Sequence, residues 1–296
     1  MDNPYLNPSR VRAALRSLDL RPSRGMGQNF LADPDALETI VAAADLSPAD
    51  TVVEVGPGLG VLTWELVRRA GAVAAVELDL RLADRLRQEL AAVPNLAIVQ
   101  GDILTLPPDA ILEALPDAAR AGQAPGAPRY KVVANLPYAI TSPVLRHFLE
   151  ARLRPELMVV LVQWEVAQRI AARPGDLSVL AHAVQLYAEP EVVARIPAES
   201  FVPAPAVALA VLRLRVRERP PVDVDEPEAL MRVIKAGFLH ARKQLGNSLP
   251  GGLAAMGIPA DKPRALAALA AAGITPTRRA ETVTLEEWAA VYRSLI

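Results

Sequence analysis

The sequence predicts an α/β fold, with a parallel β-sheet covered by helices on both faces and a small all-helical domain at the C-terminal end. Short aliphatic runs alternate with segments whose apolar residues recur at helical spacing. Strands that alternate with helices in this way indicate a parallel sheet covered on both faces. Beyond residue 228 only helical patterns remain.

The predicted sheet has five strands, each a short aliphatic run. They are residues 51–55, 72–78, 95–102, 130–138 and 157–164. Amphipathic patterns predict helices at 61–70 and 81–93, between the first strands. Residues 117–129 are rich in small residues, Pro and Gly, which predicts a surface loop.

Residues 217–228 are charged and Pro-rich and lack an apolar period, which predicts a linker. It divides the chain into a domain of residues 1–216 and a helical domain of residues 229–296. Thr284 is a plausible N-cap, with Glu287 as its capping-box partner. The helices predicted in the second domain are 229–249, 262–272 and 284–296.

Composition excludes several classes of protein. Hydrophobic residues make up 52% of the chain, enough for a real core, and there is no cysteine. The chain therefore lacks disulfides, zinc-finger spacing and thiol nucleophiles. The histidines, His147, His182 and His240, are far apart in sequence, so we predict no metal site. Without an apolar run of ~20 residues or a secretion signal, the chain is expected to be soluble and cytoplasmic.

Charge is distributed unevenly. Residues 1–30 carry a net charge of +3, residues 31–200 carry −8 and residues 201–296 carry +4. This distribution is either chance variation on solvated faces or a sign that different parts of the chain bind different ligands. In the second interpretation the basic ends bind an anion, and the acidic middle holds a positively charged or uncharged cofactor.

A glycine motif closes the first strand and opens a helix. Gly56, Gly58 and Gly60 let the backbone approach a ligand that a Cβ would block. In a dinucleotide fingerprint the last glycine would stand at Val61, and Pro57 removes one amide that a pyrophosphate would use. Alone, the motif fits either a cofactor loop or a tight turn.

Two carboxylates end the next strands. Glu77 is placed to accept hydrogen bonds from both hydroxyls of a ribose. Asp102 is placed to accept from an exocyclic adenine amine, with Ile103 covering the ring. A solvated strand-end Glu and a turn Asp are the alternatives. Because Gly56, Glu77 and Asp102 all follow parallel strands, they share one edge of the sheet, where such sheets bind ligands.

The fourth strand ends in Asn135-Leu136-Pro137-Tyr138, which suggests methylation of an exocyclic adenine amine. The Asn135 side-chain oxygen and the Leu136 carbonyl would accept that amine's protons. Pro137 would hold the turn rigid, and Tyr138 offers a face for base stacking. An ordinary Asn-x-Pro turn is the alternative. Phe201 either closes the opposite face of the base or belongs to the core.

Together these motifs resemble the S-adenosylmethionine-dependent ribosomal RNA adenine dimethyltransferases. That family dimethylates two adjacent adenosines near the 3′ end of small-subunit (16S) rRNA at their N6 amines. The resemblance runs along most of the chain. Its motifs lie at residues 27–31, 54–63, 77–79, 101–102, 135–138, 163–169, 201–205, 242–249 and 279–287.

The resemblance implies a Rossmann-like methyltransferase sheet, the cofactor S-adenosylmethionine with S-adenosylhomocysteine as product, and monomeric action on 16S rRNA in the small subunit or its precursor. It implies that the residues lining the cofactor are Asn29, Leu31, Gly56, Gly58, Glu77, Leu78, Asp102, Ile103 and Asn135. The basic ends supply candidate phosphate contacts. These are Arg10 and Arg12 at the front, and Arg232, Lys235, Arg242 and Lys243 on one predicted C-terminal helix. A merely solvated helix is the alternative.

Some positions depart from the family pattern. Arg24-Gly25-Met26 stands where a Lys is common, Trp164 replaces a usual Lys, and His240-Ala241 stands where a basic residue is common. These departures concern the details of RNA contact. Leu136 favours the small-subunit branch over the large-subunit branch, where Ile is more typical.

Three other functions remain open at this point. The same tetrapeptide chemistry would serve an adenine-N6 methyltransferase acting on large-subunit rRNA or on DNA. A nucleotide-dependent oxidoreductase would share the sheet, and Val61 counts against it. A ribosome-assembly or transcription factor could keep the fold without turnover, against which the intact Asn135–Tyr138 counts.

Overall fold

A computed structural model describes residues 3–19, 29–120 and 129–295. Contacts group the chain into two compact units. The first is Met1–Ala167 with Glu191–Val216, and the second is Gln168–Pro190 with Arg217–Ile296. The chain passes from the first unit to the second after residue 216, where the domain boundary is predicted. Residues 168–190, predicted in the first domain, fall in the second unit. The division into separate domains remains a prediction.

Nine strands occur in the described residues. They are β1 (Phe30–Leu31), β2 (Thr51–Val55), β3 (Ala72–Glu77), β4 (Leu96–Gln100), β5 (Lys131–Asn135), β6 (Leu157–Gln163), β7 (Ala188–Ile196), β8 (Phe201–Val202) and β9 (Leu209–Val216). Seven of them form one sheet in the order β4-β3-β2-β5-β6-β9-β7, and β1 pairs with β8. All five predicted strands are present, to within a few residues at their ends.

The described helices cover the sheet and build the second unit. They are α1 (Pro8–Ser17), α2 (Pro34–Ala44), α3 (Thr63–Arg69), α4 (Leu80–Glu89), α5 (Pro108–Glu113), α6 (Asp117–Arg120), α7 (Thr141–Leu149), α8 (Trp164–Ile170), α9 (Val179–Gln185), α10 (Pro227–Phe238), α11 (Leu245–Ala255), α12 (Lys262–Ala271) and α13 (Leu285–Leu295). The predicted loop at 117–129 begins with the helical turn α6, and residues 121–128 lie outside the description. None of the described helices has the length and apolar character required to cross a bilayer.

The parallel part of the sheet places the carboxyl ends of five strands on one edge. Strands β4, β3, β2, β5 and β6 run parallel, so their carboxyl ends meet there. The register pairs Glu77 with Gln100 and Asn135 with Leu161. The chain builds outward from β2 through β3 to β4, then returns to place β5 on the other side of β2. That reversal of strand order is where open α/β sheets form ligand crevices.

The sheet is not wholly parallel, which corrects the sequence-based expectation. Strand β9 runs antiparallel to β6 along its whole length, and β7 forms the far edge. Neither was predicted, because β9 carries Arg213 and Arg215 in its second half. In the fold both guanidinium groups pair with Glu191 on β7, at 2.7 and 3.2 Å. A partner 22 and 24 residues away thus allows charges in a strand that is otherwise largely buried.

The second unit corrects one predicted helix. Residues 229–249 form two helices, α10 and α11, separated by the turn at 239–244. The Leu245 N–H donates to the Arg278 carbonyl at 2.8 Å and the Gly246 N–H to the Pro276 carbonyl at 2.9 Å. These partners replace the bonds that a continuous helix would make. Residues 168–190 join this unit in part because the Gly175 and Leu177 N–H groups donate to the Glu281 carbonyl.

The predicted capping box is confirmed at the start of α13. The Glu287 carboxylate accepts the Thr284 N–H at 2.8 Å, and the Thr284 hydroxyl accepts the Glu287 N–H at 3.3 Å. Arg278 pairs with the same carboxylate at 2.5 and 2.9 Å, and this bond holds the Glu287 pKa below its usual value. One carboxylate therefore fixes both the helix start and the preceding loop.

Glu287→Ala is expected to destabilise the protein by about 1–2 kcal/mol, because it removes a cap and a charge-assisted hydrogen bond. Urea unfolding at pH 7 measures the difference. The matched control is Glu286→Ala, which removes an exposed carboxylate from the same first turn. Equal midpoints for the two variants would contradict the role given to Glu287.

Candidate active site

A cleft with a cavity volume of about 100 Å³ lies at the carboxyl edge of the sheet in the first unit. The ends of β2, β3 and β5 contribute to it, together with β1 and the residue before it. Its lining residues are Asn29, Phe30, Leu31, Ile40, Glu54, Gly56, Pro57, Gly58, Val61, Leu62, Glu77, Leu82, Asn135 and Pro137. Six of the predicted cofactor residues, namely Asn29, Leu31, Gly56, Gly58, Glu77 and Asn135, are therefore brought together.

The glycine turn after β2 needs residues without a Cβ. Gly56 and Gly58 have φ angles of +63° and +59°, which disfavour other residues. A Cβ at Gly58 would lie 3.0 Å from Cε1 of Phe30, and one at Gly56 would lie 3.8 Å from Cδ of Pro137. The bare backbone thus forms one wall of the cleft between β1 and the tetrapeptide.

Glu77 ties this turn to the end of β3. Its carboxylate accepts the Gly58 N–H and the Asp79 N–H, each at 3.0 Å. The residue is only 7% exposed, and burial raises its pKa above the ordinary value. The structure therefore rejects the alternative of a solvated strand-end Glu. A fixed carboxylate at this edge is suited to accept hydrogen bonds from ligand hydroxyls.

A second carboxyl group, Glu54, lines the cleft, and the sequence analysis did not single it out. It is 1% exposed on β2 and accepts a hydrogen bond from the Thr63 hydroxyl at 2.7 Å. Burial, with a smaller contribution from the charge of Glu77, raises the pKa of Glu54 to about 8. The available signal was an acid inside an otherwise apolar strand, directly before the glycine turn.

The raised pKa of Glu54 predicts that the protein loses stability as the pH rises from about 4.5 to about 8. Its pKa in the folded protein, about 8, lies above its ordinary value of 4.5. The stability associated with the protonated form is complete below the ordinary pKa and is lost as the pH rises through 8. We expect Tm to fall as the pH rises from 4.5 to about 8 and to level off above that, and Glu54→Gln to flatten this fall. Exposed Glu113→Gln is the control, and parallel Tm profiles for Glu54→Gln and wild type would contradict the assignment.

The tetrapeptide follows β5 directly at the cleft. The predicted strand stops at Asn135 because Tyr138–Ile140 forms a 3-10 turn. The Asn135 side-chain Nδ2 donates to the Asn29 carbonyl at 3.1 Å, which links β5 to the residue preceding β1. Burial raises the pKa of Tyr138 to about 12, partly offset by the Asn29 side chain, so its hydroxyl stays protonated. Leu136 is buried, and its N–H donates to Leu161 on β6.

The three remaining predicted cofactor residues, Asp102, Ile103 and Leu78, and the predicted catalytic Phe201 lie outside the cleft lining. Asp102 is exposed outside the cleft lining and accepts the Leu104 N–H at 2.9 Å, as a turn Asp does. Phe201 is buried in the core on β8, opposite Leu31, and does not line the cleft. In this structure Phe201 is therefore a core residue, the alternative given above, and does not face the site where a base would bind. Ile103 is buried next to Asp102, and Leu78 is 66% exposed directly after β3.

Phe30 is a further cleft residue that the sequence analysis did not assign. Its ring faces Gly58, because β1 is held by β8 through the Phe30–Val202 and Leu31–Phe201 pairs. A two-residue strand has no detectable period, so the pattern gave no signal. Residues 20–28, which hold the first part of the predicted cofactor-covering motif, lie outside the described residues.

The candidate phosphate contacts are distributed over three elements. Arg10 and Arg12 are exposed on α1 of the first unit. Arg232 is exposed and Lys235 half-buried on α10 of the second unit. Arg242 and Lys243 are exposed in the turn between α10 and α11, so the prediction that all four C-terminal cations share one helix is wrong. Their contact with RNA stays a prediction.

Comparison with known proteins gives a consistent result. The family model described as ribosomal RNA adenine dimethylase matches residues 21–295. A ribosomal RNA small subunit methyltransferase A from Dehalococcoides mccartyi is 43% identical over 280 residues, covering 95% of this chain and 90% of that protein. The protein of the same name from Moorella thermoacetica is also 43% identical, over 97% of both chains.

A solved structure agrees with the fold. The crystal structure of the 23S rRNA methyltransferase ErmE is 30% identical and has a TM-score of 0.65, covering 90% of this chain and 99% of that one. The match spans the Rossmann-like sheet and the helices that follow it. With the family model covering nearly the whole chain, this protein belongs to the ribosomal RNA adenine dimethylase family.

Proposed function

We propose that this protein transfers methyl groups from S-adenosylmethionine to the N6 amines of two adjacent adenosines near the 3′ end of 16S rRNA. The observation that carries the proposal is the meeting of the tetrapeptide with the glycine turn. Asn135 and Pro137 line the same cleft as Gly56 and Glu77, at the point where the strand order reverses. Relatives at 43% identity are named small-subunit methyltransferases.

The residues of the cleft fit the proposed cofactor. Gly56 and Gly58 line the cleft with bare backbone, and their positive φ angles keep a Cβ from that wall, as expected where a ligand approaches backbone. Gly58 and Glu77 form the wall that would hold the ribose end, and exposed Leu78 would cover the adenine. S-adenosylmethionine, when bound, supplies an activated methyl group. Asp102, which accepts the Leu104 N–H outside the cleft lining, would have to leave its turn to take part.

The protein's own task is to hold the target amine. That nitrogen is a poor nucleophile because its lone pair is delocalised into the ring. The Asn135 Nδ2 is held by the Asn29 carbonyl, which orients Oδ1 to accept a proton of the amine. The Leu136 carbonyl is the second proposed acceptor, and Pro137 fixes its direction. Tyr138, kept neutral, would stack on the base.

The basic residues would bind the phosphates of the RNA. We propose this for Arg10 and Arg12 and, separately, for Arg232, Lys235, Arg242 and Lys243. Affinity should then fall steeply with salt, because each neutralised phosphate releases counterions. A substrate in the small ribosomal subunit or its precursor implies work in the cytoplasm. Action as a monomer stays a prediction.

A labelled-methyl assay on small subunits that lack the modification tests the proposal, with nuclease mapping of the product. Label on two adjacent adenosines near the 3′ end of 16S rRNA is the expected result. Large-subunit rRNA and duplex DNA are assayed in parallel. Label confined to either would contradict the small-subunit assignment. Binding to subunits without any transfer would favour an assembly factor.

A further inference from the structure

We propose that Trp164 and Arg195 form a stacking platform for a nucleotide that flanks the target adenosine, Trp164 taking the base and Arg195 its phosphate. The proposal rests on the proposed function and names a further substrate contact for it. It concerns only the first unit, which contains both residues. The observations are the position of Trp164, the ring contact and the exposure of the pair.

Trp164 lies beside the tetrapeptide on the sheet edge. Strand β6 pairs in parallel with β5, and the register sets Asn135 opposite Leu161. Trp164 therefore comes three residues beyond the position opposite Asn135, at the same carboxyl edge. Its N–H donates to the Ala208 carbonyl at 3.0 Å, which anchors its backbone to the segment entering β9. The backbone of Trp164 is thus fixed at the carboxyl end of the strand that neighbours β5, and its indole meets Arg195 on β7.

Trp164 differs from the other tryptophans of the chain. Trp64 and Trp288 are core residues, 8% and 0% exposed. Trp164 is half-buried, and it stands at the point where the family resemblance leads one to expect a Lys. A half-buried indole at an edge where RNA is proposed to bind is suited to stack on a base.

Arg195 completes the platform. Its guanidinium lies over the Trp164 ring, 5.1 Å from the centroid, and the side chain is exposed on β7. Among the residues that the structure describes, no carboxylate pairs with it, in contrast to Arg213 and Arg215, which share Glu191. Stacking fixes the plane of the guanidinium and leaves its edge N–H groups directed away from the ring. That arrangement suits one phosphate.

The charge around the platform limits the ligand. Glu165, the next residue, is exposed and would repel a second phosphate close to the indole. A single-stranded nucleotide, with one flat base and one phosphate, therefore fits better than the continuous backbone of a duplex. Since the target adenosine must leave its stack, each neighbouring base loses a stacking partner, which the indole can replace.

The test uses the full-length protein with undermethylated small subunits and with a single-stranded oligoribonucleotide that carries two adjacent adenosines. Trp164→Ala is expected to raise KM for subunits and Kd for the oligonucleotide roughly 5- to 100-fold, and Trp164→Phe to raise them much less. Arg195→Ala should lower the slope of log Kd against log salt by about 0.7, the value of one phosphate on a single strand. Kd for S-adenosylmethionine should not change.

Two readouts separate contact from structural support. Oligonucleotide binding should quench tryptophan fluorescence in wild type, and Trp164→Phe should abolish the quenching. Arg152→Ala, an exposed arginine in the loop before β6 at the opposite edge of the sheet, is the charge control and should leave KM and the salt slope unchanged. An active wild type with unchanged KM, Kd and quenching in the Trp164 variants would overturn the platform. A wild type that transfers no methyl group to small subunits would instead overturn the proposed function.

Discussion

Asn135→Ala is expected to lower the rate of methyl transfer by about 10²–10³-fold, the usual effect of removing one hydrogen-bonding group from a reacting centre. The side chain is the only amide of the tetrapeptide, and its Nδ2 is committed to the Asn29 carbonyl at 3.1 Å. Its Oδ1 is therefore the atom available to stabilise charge developing on the target amine. Single-turnover methyl transfer to undermethylated small subunits measures the change.

Asn135→Asp serves as the matched variant. It keeps oxygen acceptors but loses the donor to Asn29 and sets two oxygens against each other. We expect a rate between those of wild type and Asn135→Ala. Kd for S-adenosylmethionine and Tm are measured on the same preparations to separate chemistry from folding. An alanine variant that keeps a rate within about threefold of wild type would remove Asn135 from the reacting site.

Glu77→Ala is expected to raise Kd for the cofactor about 100-fold or more. Two hydrogen bonds from hydroxyls to a carboxylate are worth about 1.5–3 kcal/mol each in a site sheltered from water. Glu77 is 7% exposed and already held by the Gly58 and Asp79 N–H groups, so it needs no rearrangement to accept them. Isothermal titration with S-adenosylhomocysteine measures the loss.

A deoxy analogue distinguishes direct contact from support of the glycine turn. If Glu77 binds the ribose, wild type should bind 2′-deoxy-S-adenosylhomocysteine more weakly than S-adenosylhomocysteine, by about tenfold or more. In Glu77→Ala the two ligands should bind alike, because the partner of the missing hydroxyl is gone. A tenfold preference that persists in the variant would show that Glu77 acts only through Gly58.

The strand positions, the capping box and the cofactor turn were predictable because each depends on neighbours in sequence. A β-strand buried on both faces is marked by a short run of mostly aliphatic residues, which 51–55 and 72–77 supply. The Thr284–Glu287 box closes within three residues. Glycines separated by single residues after a strand point to positive φ angles in a tight turn, and this alone located one wall of the cleft.

The features that the sequence analysis missed or predicted wrongly depend on partners far along the chain. The break between α10 and α11 is made by carbonyl groups 30 or more residues away, which no local helical period reveals. Strand β9 accommodates Arg213 and Arg215 because both form ion pairs with Glu191 on β7. The burial of Phe201 in the core and the raised pKa of Glu54 were not predictable either. Both depend on which segments of the folded chain cover the residue.

The sequence by itself determined the family, the positions of the five parallel strands along the chain and the tetrapeptide. These follow from residue type and spacing. Only the tertiary structure decided which of the marked residues share a cleft. Asn29, Gly58, Glu77 and Asn135 meet there, whereas Asp102 and Phe201 do not. The physical reason is that strand order and long-range hydrogen bonds, such as Asn135 to Asn29 across 106 residues, set distances that no local pattern encodes.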